Sequence, residues 1–191
     1  MLNLPRATRA LIIANVAVYF AEAVWGGDSV ALLALWPLGP DFMPWQLLTY
    51  AFVHAGPSHL LFNAFGIYMF GGDLERVWGE RRYLVYYLVC ALSAAVAQTA
   101  VTSLTGTYYP TVGASGAIFG LLLAYAMTFP TRTLMLLFPP IPMRAPIFVG
   151  LYAVLELLLG VTGSQVGVAH FAHLGGLAGG YLLMRGWRGT R

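Results

Sequence analysis

Long apolar runs with almost no charged residues dominate this sequence and limit what it can fold into. Apolar residues make up 59% of the 191 residues and charged residues only 9%, whereas about 25% of the residues in an ordinary soluble domain are charged. Such a chain cannot cover its surface with groups that water solvates, so the composition excludes a soluble enzyme. Because a membrane-spanning helix needs about 20 apolar residues, the length predicts about six spans in a single membrane domain over residues 1–191.

Proline, glycine and polar residues divide the chain into the six predicted spans of an all-α polytopic membrane bundle. The spans are expected at about residues 7–25, 59–74, 83–104, 113–129, 145–161 and 166–184. The long segment from Gly26 to Ser58 is rich in Trp and Pro, which indicates a loop at the membrane interface. A cleaved signal peptide is the weaker reading of the first run, because Glu22 interrupts it and more membrane segments follow.

The arginines support this count and give the bundle an orientation. Positive residues concentrate in the cytoplasmic loops of membrane proteins. With a cytoplasmic N-terminus, all ten basic residues fall on the cytoplasmic side: Arg6, Arg9, Arg76, Arg81, Arg82, Arg132, Arg144, Arg185, Arg188 and Arg191. Moving or deleting one span would scatter them over both faces. We therefore expect both termini in the cytoplasm, with the protein in the cell membrane of a bacterium.

The remaining charged and thiol groups exclude several other classes of protein. The formal net charge is only +3, and the arginines form no patch that would bind nucleic acid. The single Cys90 excludes a disulfide framework and a multi-thiolate metal site. No His-Glu-x-x-His zinc motif occurs, and a metal site made of His59, His170 and His173 is a weak alternative. We therefore expect no metal and no other cofactor.

All four histidines lie at the predicted outer ends of spans. His54 and His59 are near the start of span two, and His170 and His173 are in the first turns of span six. Polar residues inside a membrane are costly and by default mark a functional site. His59 and Asn63 share one helix face at a spacing of four residues. The alternative for this pair is a hydrogen-bonded contact that joins two helices.

A serine and a histidine on spans four and six are the candidate chemical pair. Ser115 opens span four, where free backbone N–H groups would stabilise an oxyanion. His173 is followed on one helix face by Gly176 and Gly180, and Gly116 offers a similar surface beside Ser115. Close packing of two such glycine faces would bring His173 to Ser115. The alternative is a packing face with an incidental histidine.

Three motifs in this order resemble the rhomboid intramembrane serine proteases, and the resemblance covers nearly the whole chain. The motifs are His59-Leu-Leu-Phe-Asn63, Gly113-Ala-Ser-Gly-Ala-Ile-Phe119-Gly and Ala172-His173-Leu-Gly-Gly176-Leu-Ala-Gly-Gly180. The resemblance implies that Ser115 is the nucleophile and His173 the general base. It also implies an oxyanion hole made by His59, Asn63 and the backbone N–H of Ser115.

The same resemblance assigns supporting positions. Gly113 and Gly116 flank the nucleophile, Phe119 would place its ring against the catalytic imidazole, and Gly176 and Gly180 would pack the helix of the base. Glycine spacing favours His173 over the neighbouring histidine as the base.

Acidic residues and one loop position depart from what a triad or the family pattern would need. Glu22 and Glu156 are acids deep within predicted spans and neither lies in a motif, so a Ser–His dyad without a carboxylate is expected. Glu156 is read as a buried protonated or hydrogen-bonded carboxyl, and His170 has no assigned role. The family commonly carries Trp-Arg before span two, whereas this chain has Trp45-Gln46, so the role of that arginine is absent or altered.

The resulting hypothesis is an intramembrane serine endopeptidase that cleaves transmembrane proteins near the outer face of the bilayer. By resemblance, a locally unstable substrate helix unwinds into the site, with span five and Val161–Gln165 as the gate. One alternative is an inactive rhomboid-like protein that binds membrane clients, although such relatives usually lack the serine or the histidine. Another is a small proton-coupled transporter, which would keep its activity without the Ser115 hydroxyl.

Overall fold

The protein is described by a computed structural model that covers residues 4–136, 139–163 and 168–189, and helices account for most of it. The α-helices of these residues are, in chain order, α1 Arg6–Trp25, α2 Gly27–Leu33, α3 Gln46–Thr49, α4 Pro57–Gly66, α5 Gly72–Trp78, α6 Glu80–Thr105, α7 Ser115–Thr128, α8 Ala145–Thr162 and α9 His170–Gly189. A 3₁₀ turn over Tyr50–Phe52 follows α3, and a π-helical turn over Ile67–Gly71 joins α4 to α5.

Three of the described helices are long and apolar enough to cross a membrane, namely α1, α6 and α8. The apolar α7 is shorter, with 14 residues. Helical backbone runs unbroken through α4, the π turn and α5 in the region of predicted span two. The predicted start of span six, Val166, lies outside the described residues, and α9 begins at His170. The count of six spans stays a prediction.

Proline and glycine set several helix ends, and they do so for local reasons. Pro57 and Pro146 lie in the first turns of α4 and α8, where the missing N–H costs nothing. Gly79 separates α5 from α6 at a φ of +80°, a conformation that residues with a Cβ rarely adopt.

The loop between α7 and α8 contains structure that the all-α prediction did not include. Strands β1 (Thr133–Met135) and β2 (Pro142–Arg144) pair antiparallel, with Thr133 opposite Arg144. The hairpin lies at the end of α7 away from Ser115.

Helix α9 lies between α6 and α7 and packs against both through glycines. A Cβ at Gly176 would overlap the carbonyl oxygen of Gly116 on α7. A Cβ at Gly180 would overlap the hydroxyl of Tyr86 on α6, and one at Gly175 would lie 2.7 Å from the carbonyl oxygen of Ser93. The helices therefore approach with backbone against backbone, as small residues allow in membrane bundles.

Charged side chains meet at one end of the bundle, which we call the arginine end. The carboxylate of Glu75 accepts hydrogen bonds from the backbone N–H groups of Ala7 (2.9 Å) and Thr8 (2.7 Å) at the start of α1. Arg132, just beyond α7, forms an ion pair with Asp73 of α5. Because Ser115 is the first residue of α7, the arginine end lies opposite Ser115.

A buried amide holds together the long segment before α4. Gln46 is fully buried, and its Oε1 accepts hydrogen bonds from the backbone N–H groups of Trp36 (3.3 Å) and Met43 (3.1 Å). Its Nε2 donates to the carbonyl oxygens of Leu32 (3.3 Å) and Asp41 (3.0 Å). The residue that replaces the family arginine thus has a structural role of its own.

The same segment is tied to the turn that leads into α7. Leu35 and Thr111 exchange backbone hydrogen bonds of 2.9 and 2.8 Å in an antiparallel bridge. The N–H of Gly113 donates to the carbonyl oxygen of Tyr50 at 2.9 Å, and the Tyr50 hydroxyl donates to the carbonyl oxygen of Ala91 on α6 at 2.8 Å. The approach to Ser115 is therefore held from two sides.

Candidate active site

The structure brings Ser115 and His173 into hydrogen-bond contact. Ser115 is the first residue of α7 and His173 lies in the first turn of α9. Ser115 Oγ and His173 Nε2 are 2.8 Å apart, the distance at which an imidazole can take a hydroxyl proton. Only 7% of the His173 surface is exposed, whereas Ser115 is half-buried, so the imidazole is the more shielded member of the pair.

Helix packing sets the separation of this pair. A Cβ at Gly116 would lie 2.5 Å from the Cβ of Ala94 and 3.2 Å from the carbonyl oxygen of Ala172, the residue before the base. One turn on, a Cβ at Gly120 would lie 3.1 Å from the carbonyl oxygen of Gly176. Larger residues would push α7 and α9 apart and separate the hydroxyl from the imidazole.

The ring of Phe119 lies flat on the imidazole. The two ring centroids are 4.3 Å apart and the planes differ by 8°. Phe119 is one helical turn beyond Ser115, so α7 carries both the hydroxyl and the ring that restricts the His173 side chain. Tyr152 of α8 packs beside Phe119, and the centroids of these two rings are 6.3 Å apart.

His59 and Asn63 lie against the turn that precedes Ser115. Gly113 has a φ of +111°, and a Cβ there would lie 2.6 Å from His59 Nε2 and 3.5 Å from Asn63 Nδ2. His59 Nδ1 accepts a hydrogen bond from the N–H of Ala55 at 3.4 Å, which leaves the proton of a neutral ring on Nε2. Two N–H donors therefore face the entrance to α7.

The backbone of Ser115 adds a further donor. As the first residue of a helix, Ser115 has an N–H without an intrahelical acceptor. This N–H lies at the positive end of the α7 dipole. The turn before Ser115 and the start of α7 together provide the donors that an oxyanion would need.

His54 is a neutral neighbour of the site. Burial, and to a lesser extent the nearby His59, lower the pKa of His54 to about 4, although a contact with the carbonyl of Phe52 opposes both effects. The rings of His54 and His59 have centroids 5.1 Å apart. At neutral pH His54 therefore adds no positive charge beside His59.

The sequence analysis missed one side chain of this site, Glu156 of α8. Its Oε2 lies 2.9 Å from His173 Nδ1 and 2.6 Å from His170 Nδ1. The His170 contact has hydrogen-bond geometry, whereas the His173 contact has only the distance, because Nδ1 does not meet the angular criterion. The expectation that no carboxylate approaches the base is wrong, since Glu156 is 7% exposed and faces the imidazole.

One signal in the sequence pointed toward Glu156, but its contact with His173 could be found only from the structure. An acid within a predicted span is expensive and usually functional. Its distance from His173 depends on which face α8 turns to α9, and the apolar pattern of α8 does not determine that face.

The same three residues could in principle hold a metal ion. Ligand atoms of Glu156, His170 and His173 all lie within 4.8 Å of one another. Zinc bonds of about 2.0–2.1 Å in a tetrahedron keep neighbouring ligand atoms about 3.3 Å apart. The contacts of 2.6 and 2.9 Å to Oε2 are shorter, so they fit shared protons better than a bound ion.

A broad concavity occurs elsewhere in the described chain, at the arginine end. It is lined by Trp78, Arg82 and Trp187 among others. The guanidinium of Arg82 lies 4.1 Å from the ring centroid of Trp187. None of these residues contacts Ser115 or His173, so the concavity does not belong to the candidate site.

Comparison with known proteins gives a family and several relatives. A family model described as "Rhomboid domain" matches residues 41–188. The "Rhomboid protease GluP" of Bacillus subtilis (strain 168) is 31% identical over 137 residues, which are 72% of this chain and 25% of GluP. YdcA of the same organism is 34% identical over 145 residues, 73% of this chain and 65% of YdcA.

A plant protein is similar to the same extent. "RHOMBOID-like protein 12, mitochondrial" of Arabidopsis thaliana is 32% identical over 147 residues, 69% of this chain and 43% of the plant protein. The chain therefore spans between a quarter and just under two thirds of the length of these relatives.

Proposed function

The chain belongs to the rhomboid family, and we propose that it is an intramembrane serine endopeptidase. It would hydrolyse peptide bonds in or near the transmembrane segments of other membrane proteins. The observation that carries the proposal is the 2.8 Å contact between Ser115 Oγ and His173 Nε2 at one end of an apolar helical bundle. The names of its relatives support proteolysis, and its apolar helices make it an integral membrane protein.

The first step of the proposed reaction is attack by the serine. His173 Nε2 accepts the proton of the Ser115 hydroxyl while Oγ bonds to the carbonyl carbon of the substrate. The carbonyl π electrons move onto oxygen and create an oxyanion. The Ser115 N–H, the Nε2–H of His59 and the amide of Asn63 are the candidate donors, each typically worth about 10²–10³ in rate.

The second step releases the amine and the third uses water. The imidazolium returns its proton to the leaving nitrogen, the C–N bond breaks, and an acyl ester remains on Ser115. His173 then takes a proton from water while the water oxygen bonds to the acyl carbon. The C–Oγ bond of the ester breaks, the imidazolium returns its proton to Ser115 Oγ, and the new carboxylic acid leaves. The protein needs no cofactor for this sequence.

Orientation and substrate follow from the two ends of the bundle. The positive-inside rule places the arginine end in the cytoplasm and the Ser115 end toward the outer face. A peptide bond inside a substrate helix is shielded, so a segment that can unwind is the suitable substrate. We assign α8 as the gate, together with the loop that follows it, of which Ser164 and Gln165 lie outside the described residues.

Reconstitution with a transmembrane substrate tests the proposal. Purified wild-type protein in liposomes is expected to cleave the substrate, and Ser115→Ala and His173→Ala are each expected to lower the rate by at least about 10³-fold, since the pair acts as a unit. Ser103→Ala is the matched control, because Ser103 is exposed near the end of α6.

A serine-directed fluorophosphonate gives a second readout. Mass spectrometry is expected to find the probe on Ser115 alone. Cleavage that persists in Ser115→Ala would contradict the proposal and favour a transporter, while an intact pair without cleavage of any substrate would favour a client-binding protein.

A further inference from the structure

We propose that Glu156 is a positioning residue that orients His173, so that a buried carboxylate supports the Ser–His pair. The inference rests on the proposed proteolysis and adds a group to it. Two contacts carry the inference: Oε2 lies 2.9 Å from His173 Nδ1 and 2.6 Å from His170 Nδ1. All three side chains are at least nine-tenths buried.

The chemistry of the base explains why a carboxylate at Nδ1 matters. His173 can take the Ser115 proton only if Nε2 is unprotonated, so a neutral ring must carry its proton on Nδ1. A carboxylate beside Nδ1 favours that tautomer and stabilises the imidazolium that forms during attack. Glu156 Oε2 occupies this position, while Nε2 faces Ser115 Oγ on the opposite side of the ring.

His170 holds the carboxylate in place. It lies one turn before His173 on α9, and its Nδ1 makes the shorter and better aligned contact to Oε2. Because the same oxygen serves both rings, a turn of the Glu156 side chain that kept the His170 bond could align Oε2 with His173 Nδ1.

A purely structural role for Glu156 makes a different prediction. If Glu156 served only to join α8 to α9 through His170, its loss would lower thermal stability and leave the chemistry of folded protein unchanged. A positioning role would lower kcat with little change in KM, because the contact matters most after His173 is protonated.

Glu156→Gln is the decisive variant, since it keeps the size of the side chain and removes its charge. We expect kcat for the transmembrane substrate to fall by about 10–100-fold, with KM changed by less than about threefold. This is less than the loss of about 10⁴ in serine proteases, because Phe119 stacking also holds the ring. Glu156→Asp, which keeps the charge, is expected to recover part of kcat.

A control variant distinguishes positioning from structure. His170→Asn removes the second imidazole that contacts Oε2 and leaves the carboxylate beside His173 Nδ1. Its kcat should therefore fall less than that of Glu156→Gln, whereas a purely structural role for Glu156 predicts similar losses in the two variants.

A measurement that needs no substrate separates this inference from the proposed function. Nitrogen-15 NMR of histidine-labelled protein in micelles reads the tautomer of His173, which is expected to be Nδ1–H in wild type and mixed in Glu156→Gln. An unchanged tautomer together with an unchanged kcat in Glu156→Gln would overturn the inference. Failure of wild type to cleave would overturn only the proposed function.

Discussion

The two helices that flank the base hold it by different means. Helix α7 meets α9 with backbone against backbone, at Gly116 and Gly176, and more than half of its 14 residues are buried. Helix α8 has 18 residues, of which only Ala145, Val149 and Glu156 are buried. It meets α9 through the Glu156 carboxylate and through side chains that pack near Gly160.

This difference separates two requirements of the proposed reaction. The Ser115–His173 distance must be constant, and a close backbone contact of small residues provides a constant distance. Access for a substrate requires a helix that can be displaced at low cost, and α8 buries little surface. The exposed apolar side chains of α8 are Ile147, Leu151, Val154, Leu155, Leu157, Leu158 and Val161.

The largest expected effect comes from breaking the α7–α9 contact. Gly176→Ala places a methyl group on the carbonyl oxygen of Gly116, and overpacking of this kind typically costs about 1–3 kcal/mol. Because the displacement also separates Ser115 from His173, we expect cleavage to fall by about 100-fold or more. The measurement is the rate of cleavage in liposomes, with a thermal unfolding assay on the same sample.

Gly186→Ala is the matched control on the same helix. A Cβ there meets nothing within 4 Å, so both rate and stability should stay close to wild type. Equal losses of rate and stability in the two variants would show that α9 is sensitive to a methyl group at either glycine. The contact with α7 would then not explain the effect of Gly176→Ala.

A smaller effect is expected where α7 touches the base through a side chain. Phe119→Leu keeps an apolar residue but removes the ring stacked 4.3 Å from the imidazole. We expect kcat to fall by about 3–10-fold, since aromatic stacking contributes about 0.5–1.5 kcal/mol beyond burial. Labelling of Ser115 by a fluorophosphonate should slow in proportion, whereas Phe119→Tyr should retain most activity. A rate that is unchanged in Phe119→Leu would mean that helix packing alone orients His173.

The smallest effect is expected on α8. A Cβ at Gly150 meets nothing within 4 Å, and alanine favours a helix over glycine by up to about 1 kcal/mol. Gly150→Ala should therefore leave the unfolding temperature equal to or slightly above that of wild type, and the cleavage rate within about twofold of it. A loss comparable to that of Gly176→Ala would show that α8 is as tightly constrained as α7.

The residues that meet through backbone packing were the ones that the sequence could predict. The spacing of Gly116, Gly176 and Gly180 determines how two helices can approach, and the structure places His173 against Ser115 accordingly. Proline and glycine likewise indicate helix ends, as at Pro146 in the first turn of α8.

The contacts that could not be predicted from the sequence depend on which neighbouring segment a side chain or strand faces in the folded protein. Helix α8 is apolar around its whole circumference, so nothing in its pattern says that Glu156 faces α9. The β1–β2 hairpin follows from pairing across a loop, which has no local signature. The sequence pattern indicated only that Gln46 stands where the family commonly has an arginine. It did not predict the four hydrogen bonds by which Gln46 joins the segment from Leu32 to Met43.

The buried amide of Gln46 determines how the long segment before α4 responds to salt and pH. An uncharged side chain that satisfies four backbone groups has no counter-ion to lose and no proton to exchange, so salt and pH act on it only weakly. The segment before α4 is therefore uncharged at this position, and heat or denaturant, rather than ionic strength, is what would break these hydrogen bonds.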